Sequence, residues 1–272
     1  MDYHNDSPFP DTATCIRSCW KTVFLLSLLF GLILGQVCLA SSSAAQERSL
    51  ADIIYLTEEY YPYNYTENGT VTGLAVDLLK QTWDQIGIPH QPITSLPWAR
   101  AYQRLRLEPF TMLFCMARTV ERENEFLWAG PIRVVRFVLI AKKERGIAMN
   151  NLCDLAGLKV GTLRDDITDT LMQGYRDVAR VEPVADMQQN IDKLMDDRLD
   201  LVAYEERSWH KMAERNGFSQ EDFDTVFILR ETPVYYAFHR ATPPGIVRTF
   251  QSALDRVKAG PAYQELLNTY LD

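Results

Sequence analysis

The chain has 272 residues, of which 47% are hydrophobic, 24% charged and 11% aromatic. That apolar mass excludes a disordered chain, and 13 glycines exclude a collagen-like repeat. A formal charge of −8 repels phosphate backbones, and no basic stripe interleaved with aromatics offsets it, so nucleic-acid binding is set aside. At about 100–200 residues per domain the length holds one large domain or two modest ones.

Residues 1–45 read as a secretory signal peptide. Arg17 and Lys21 precede an uncharged run from Thr22 to Ala40, and small residues follow. Cleavage after Ala40 or after Ala45 fits, and an uncleaved anchor is the alternative. The protein is therefore expected in the periplasm. Loss of this segment leaves only Cys115 and Cys153. Two buried free thiols are expected there, with a single bridge as the alternative.

From residue 52 the pattern is α/β. Residues 52–57 form a short apolar strand that enters a Tyr-rich turn holding Tyr60, Tyr61 and Tyr63. Leu74, Leu78, Leu79 and Ile86 share one helical face, and Gly87 stops that helix. A second helix covers 98–107, a strand 110–116, and a short helix capped by Thr119 follows. Residues 132–142 are β-branched and read as a strand. Strands at 158–163, 180–184 and 200–204 then alternate with helices at 167–176, 186–197 and 206–215. Two separate strands, 225–230 and 233–239, precede helices over 244–257 and 261–271. Strands alternating with helices imply mainly parallel sheets flanked by helices. Two such units imply two lobes with chain crossings near 141–146 and 230–235. The expected division is lobe 1 over 46–142, lobe 2 over 143–231 and a return to lobe 1 over 232–272. A cleft between lobes is where ligand sites concentrate.

Common enzyme signatures are absent: there is no HExxH, GxSxG, GxGxxG, P-loop or CxxC after residue 45. His90, His210 and His239 are scattered and show no metal-ligand spacing, so no metal or cofactor is expected. The informative stretch runs from Met116 to Ile132. Arg118 and Arg122, at the start of the expected helix, would form a carboxylate receptor from a guanidinium fork and free backbone N–H groups. Pairing with Glu121, Glu123 or Glu125 on a solvated surface is the alternative. Trp98 and Arg100 sit at the start of the second helix, with core packing the alternative for the indole. Asp165 and Asp166 suit a helix N-terminus as well as a ligand.

Several segments, in order, resemble the bacterial extracellular solute-binding proteins of the polar-amino-acid type, family 3. They are the Tyr-Pro-Tyr turn, Gly73-Leu-Ala-Val-Asp77, Leu96-Pro-Trp98-Ala-Arg100 and Ala117-Arg-Thr-Val-Glu-Arg122. Asp154-Leu-Ala-Gly-Leu-Lys-Val-Gly161, Arg198-Leu-Asp200-Leu-Val-Ala-Tyr-Glu205 and the C-terminal Gly260-Pro-Ala-Tyr continue the match. The resemblance implies a two-lobe Venus-flytrap fold and a non-enzymatic monomer. It implies capture of an amino acid or organic acid for a cognate ABC permease. By the same resemblance Arg122 grips the ligand carboxylate, Arg118 assists, and Glu205 takes the amino group. Thr162 to Asp166 supply further contacts, and Tyr60, Tyr61 and Tyr63 pack on the ligand. Cys115 and Ala117 stand where many amino-acid binders have Ser or Thr, which also admits a di-acid or an aromatic acid. An enzyme on the same scaffold, such as a cyclohexadienyl-dehydratase-like lyase, and a sensory lobe for a membrane receptor are the rival readings.

Overall fold

The structure is a computed structural model, and it describes residues 49–271. The expected leader, 1–45, lies outside them. One eight-stranded sheet carries the fold. Its strands are β1 (Ile54–Thr57), β4 (Ile93–Ser95), β5 (Thr111–Ala117), β6 (Phe126–Lys142), β7 (Lys159–Leu163), β8 (Arg180–Val184), β9 (Leu201–Glu205) and β10 (Phe223–His239). The order across it is β4-β1-β5-β10-β6-β9-β7-β8. The hairpin β2 (Tyr65–Glu67) and β3 (Thr70–Thr72) stands apart. β1 pairs in parallel with β4 and β5, and β7 pairs in parallel with β8 and β9. The centre of the sheet is antiparallel, where β10 meets β5 and β6, and β6 meets β9.

The two central strands have 17 residues each. β6 pairs through its first part with Val234–His239, and through its later part with the first part of β10 and with β9. The sheet thus has two halves joined by two continuous strands. Sequence reading expects two strands here, 225–230 and 233–239, with a break between them. The chain instead runs on as one strand through Pro233, whose missing N–H is tolerated because the β5 ladder joins only from Val234, while its carbonyl accepts the Arg118 N–H at 3.4 Å. Within β6, Phe137–Ile140 pair with β9, just before the crossing expected near 141–146.

Helices cover both halves: α1 (Leu74–Ile86), α2 (Trp98–Leu107), α3 (Ile167–Met172), α4 (Met187–Met195), α5 (Glu206–Arg215), α6 (Pro244–Ala259) and α7 (Pro261–Leu271). α1 buries Leu74, Leu78, Leu79 and Trp83 on one face. It ends at Gly87, whose φ of 84° is left-handed and whose N–H reaches the Trp83 carbonyl at 2.9 Å. α3 is shorter than the 167–176 expected, because the chain tightens to a 3-10 turn at Gln173–Tyr175. Cys115 is buried as expected, whereas Cys153 is exposed in a surface turn, Leu152–Leu155, and both thiols are free.

Gly73 fixes how α1 meets the Tyr-rich turn. Its φ is +120°, and a Cβ there would lie 2.5 Å from the Tyr63 carbonyl oxygen. That carbonyl accepts the Ala75 N–H at 2.8 Å, so turn and helix are one unit. Gly73→Ala is expected to cost about 1–3 kcal/mol through backbone strain. Thermal denaturation should show the loss, and an unchanged midpoint would mean that the turn relaxes freely.

Candidate functional site

Strand ends bring the candidate side chains together. In the first half of the sheet, Glu58 follows β1, Cys115 lies within β5, and Arg122 lies in the loop after β5. From the second half come Asp165 and Asp166, after β7, and Glu205, the last residue of β9. Ligand sites in open α/β sheets lie beyond the carboxyl ends of strands, and all but Cys115 are in that position.

The segment 118–125 is not the short helix expected. Single turns close it, Arg122 N–H to the Thr119 carbonyl at 3.1 Å and Glu125 N–H to the Arg122 carbonyl at 3.0 Å. The run lacks apolar residues at helical spacing, and eight residues must carry the chain from β5 to Phe126. Arg122 is therefore held by aromatics rather than by a helix start. Its guanidinium carbon lies 5.0 Å from the Tyr102 ring centroid and 5.4 Å from that of Trp98. Arg122 is only 6% exposed. Its Nη2 donates to the Asp165 carbonyl at 3.2 Å, while Nη1 is buried with no partner.

The Asp165 carbonyl also accepts the Trp98 indole N–H, at 2.9 Å. Both bonds cross from one half of the sheet to the other. Asp165 presents its carbonyl from a left-handed conformation, φ 60°. Buried Asp169 steadies this turn, accepting the Thr162 hydroxyl at 3.2 Å, the Asp165 N–H at 3.4 Å and Arg176 Nη2 at 2.6 Å. Thr162 is thus committed to Asp169.

Three buried carboxyls share the interior. Burial pushes Glu58 well above the usual carboxyl range; Asp166 adds to this and Arg122 opposes it. Burial also raises Asp166, against the opposing field of Arg122. Burial raises Glu205, while the Ser208 N–H bonded to its Oε2 at 2.7 Å opposes the shift. Arg122 acts on Glu58 and Asp166, and the cation acting on Glu205 is Arg207.

Tyr60, Tyr63 and Tyr204 line the space beside Glu205. The Tyr60 ring lies 5.0 Å from Tyr63 and 5.8 Å from Tyr204, and its buried hydroxyl has no partner. Burial raises the Tyr60 hydroxyl, as does the nearby Glu205. Cys115 has a φ of 61° at an irregularity in the β5–β10 register, and burial raises its thiol, helped by Glu58 and Glu205. Ala117 is buried in the ladder opposite Val234.

Three expected residues stand apart from this interior. Arg118 forms a bidentate pair with Glu123 at 2.5 and 2.6 Å, against Trp128 and Tyr235. The surface pairing holds for Arg118. Tyr61 packs on Tyr65, and Arg215 lies over both rings, a further contact between the halves. Arg100 is exposed and lines a cavity of about 930 Å³ beside Arg122. Sequence reasoning missed Glu58, Tyr102, Asp169 and Tyr204. Glu58 was findable as the first residue past a strand, and Tyr102 as the i+4 neighbour of Trp98 on α2.

A mixed sheet in two halves, with buried charges converging between them, is the fold of two-lobe periplasmic binding proteins. The chain matches the bacterial extracellular solute-binding proteins, family 3, over residues 53–272, and it belongs to that family. Among solved structures it is similar to a mutant of the arginine-binding protein from T. maritima, at 18% identity and a TM-score of 0.71, over 80% of this chain and 95% of that one. It is similar to a histidine kinase sensor domain resembling periplasmic binding proteins, at 17% identity and a TM-score of 0.73, over 82% and 98%. A third is the ancestral amino-acid-binding protein AncCDT-1, a precursor of cyclohexadienyl dehydratase, at 16% identity and a TM-score of 0.69, over 81% of this chain and 96% of that one. No curated protein matches the sequence. Among the described residues no helix is long and apolar enough to cross a membrane, and no cluster of His, Cys, Asp and Glu could hold a metal ion.

Proposed function

We propose that the protein is a periplasmic receptor that closes two lobes on a small carboxylate-bearing amino acid and delivers it to an ABC permease. One observation carries this reading: Arg122, 6% exposed, keeps a buried nitrogen free of any partner beside the carbonyl that joins the halves. A buried guanidinium nitrogen without an acceptor is costly, and a ligand carboxylate satisfies it. Glu205, across the sheet junction, takes the amino group, and the Tyr60, Tyr63 and Tyr204 rings bound the remainder. Lobe 1 comprises the first half of the sheet with α6 and α7, and lobe 2 the second half. Micromolar capture requires about −8.2 kcal/mol, which two or three charge-assisted bonds plus excluded water supply.

The test has two parts. The purified protein, unfolded and refolded to strip bound ligand, is screened with amino and organic acids by thermal shift. A ligand at 100 times its Kd should stabilise by about 2.7 kcal/mol. Small-angle scattering should then show a smaller radius at saturating ligand. An identical radius would count against lobe closure.

A lyase reading draws on the raised carboxyls Glu58, Asp166 and Glu205, any of which could donate a proton to a leaving hydroxyl. Turnover of a cyclohexadienyl acid, followed by NMR, would favour it over binding alone.

A further inference from the structure

Helix α5 meets the first half of the sheet at two places outside the candidate site. It follows β9, and Trp209 and Ala213 bury its inner face. Arg207, Lys211 and Arg215 recur every four residues, which sets them along one side of the helix. Arg207 donates through Nη1 to the Leu271 carbonyl, at the end of α7. The Arg215 guanidinium lies 5.2 Å from the Tyr61 ring centroid and 5.6 Å from that of Tyr65. Along the helix the two contacts stand about 12 Å apart.

Both receiving groups are anchored in the first half. α7 packs on α1 and α6, its Tyr263 hydroxyl donates to the Ile132 carbonyl at 2.7 Å, and its Tyr270 hydroxyl donates to Asp77 of α1. Leu271 itself is buried. The Tyr61 and Tyr65 rings meet edge to face at 4.6 Å, in the turn that Gly73 ties to α1. Lys211, between the two arginines, pairs only with Glu214 of its own helix, at 3.8 Å, among the described residues. Neither contact uses Arg122, Glu205 or the Tyr60, Tyr63 and Tyr204 rings.

We infer that α5 is a clasp: Arg207 and Arg215 hold the second half closed on the end of α7 and on the Tyr61–Tyr65 pair, whatever occupies the space between the halves. Along the chain, Tyr61 and Tyr65 reach α5 only through β6, and α5 reaches Leu271 only through β10. Rotation about those two strands separates α5 from both receiving groups, so each contact belongs to the closed arrangement. A contact made in one state shifts the population towards that state. The clasp thus sets the fraction of closed protein that any ligand meets. It also borders the candidate site, because the Arg207 charge opposes the upward shift that burial imposes on Glu205. The inference rests on the lobe closure proposed above and is independent of the ligand's identity.

The experiment is single-molecule energy transfer on the protein stripped of ligand by unfolding and refolding. Donor and acceptor dyes are attached through non-canonical residues at exposed Asn150, in the second half, and exposed Thr249, on α6. Arg215→Ala should raise the ratio of long to short separations about 2–5-fold, as loss of an exposed cation–π contact requires. Arg207→Ala should raise it at least ~10-fold, as loss of a hydrogen bond from a charged donor requires. Arg215→Lys keeps a cation over the rings and should restore most of the wild-type ratio. Tyr61→Leu combined with Tyr65→Leu should reproduce the Arg215→Ala shift from the other side. Lys211→Ala removes the same charge from the same helix and should leave the ratio unchanged. Wild-type ratios in Arg207→Ala and Arg215→Ala, with both separations present, would overturn the clasp and leave lobe closure standing. So would a Lys211→Ala shift as large as that of Arg215→Ala. One fixed separation in every variant would overturn lobe closure, and the clasp with it.

Discussion

Arg122→Ala is expected to weaken binding of the native ligand at least ~100-fold. The loss follows from about 2.7 kcal/mol of charged hydrogen bonding to a carboxylate. The geometry adds a second contribution, because Arg122 Nη2 also holds the Asp165 carbonyl across the junction. Removal leaves that carbonyl with Trp98 alone and takes the guanidinium away from the stacked Trp98 and Tyr102 rings. Stability also falls, because Glu58 and Asp166 lose the cation that opposes their shifts. Their pKa values then rise further, so the variant should be destabilised at pH 7 and recover as pH falls and the carboxyls take up protons. Calorimetry that finds wild-type affinity would remove Arg122 from the site.

Glu58→Gln is expected to raise the stability of the ligand-free protein. The sign follows from linkage. A carboxyl whose pKa is raised on folding binds more protons folded than unfolded, so stability falls as pH rises from the unfolded value through the folded one. Glu58, raised by burial and by Asp166, contributes such a loss above the usual carboxyl range. A neutral amide keeps the shape and removes the charge, and relief of about 1–2 kcal/mol is expected. That corresponds to roughly 2–8 °C in Tm for a chain of this size. The gain should be largest near neutral pH and shrink in acid, where Glu58 itself is protonated. A Tm that drops at pH 7, or a gain equal at all pH values, would contradict this account.

Much of the fold was legible from periodicity and stop signals. The Leu74, Leu78 and Leu79 face with Gly87 beyond it gave α1, and Pro97 gave the start of α2. What stayed hidden depends on partners far away in the chain. No local signal says that β10 runs unbroken through Pro233, or that β6 changes partner before Lys142. The placement of the candidate site was legible where a strand end carries a charge, as at Glu205, and where the family resemblance pointed to Arg122. It was not legible in the pairing of charges. Arg118 and Arg122 look equivalent in sequence, yet Glu123 pairs with the first, while the second is buried beside Trp98 and Tyr102 and donates to the Asp165 carbonyl. Glu58, Tyr204 and Asp166 come from three separate segments, so only the folded chain brings their fields onto one another.

The two 17-residue strands also decide what can be done with the gene. Each of them serves both halves of the sheet, so neither half corresponds to one uninterrupted stretch of codons. A fragment ending anywhere between Phe126 and His239 lacks part of a strand that both halves need. Exchanging one half with that of a relative takes two splice points, and both fall inside hydrogen-bonded ladder rather than in a loop. Chimeras of this protein must therefore match the relative's strand register at two places at once.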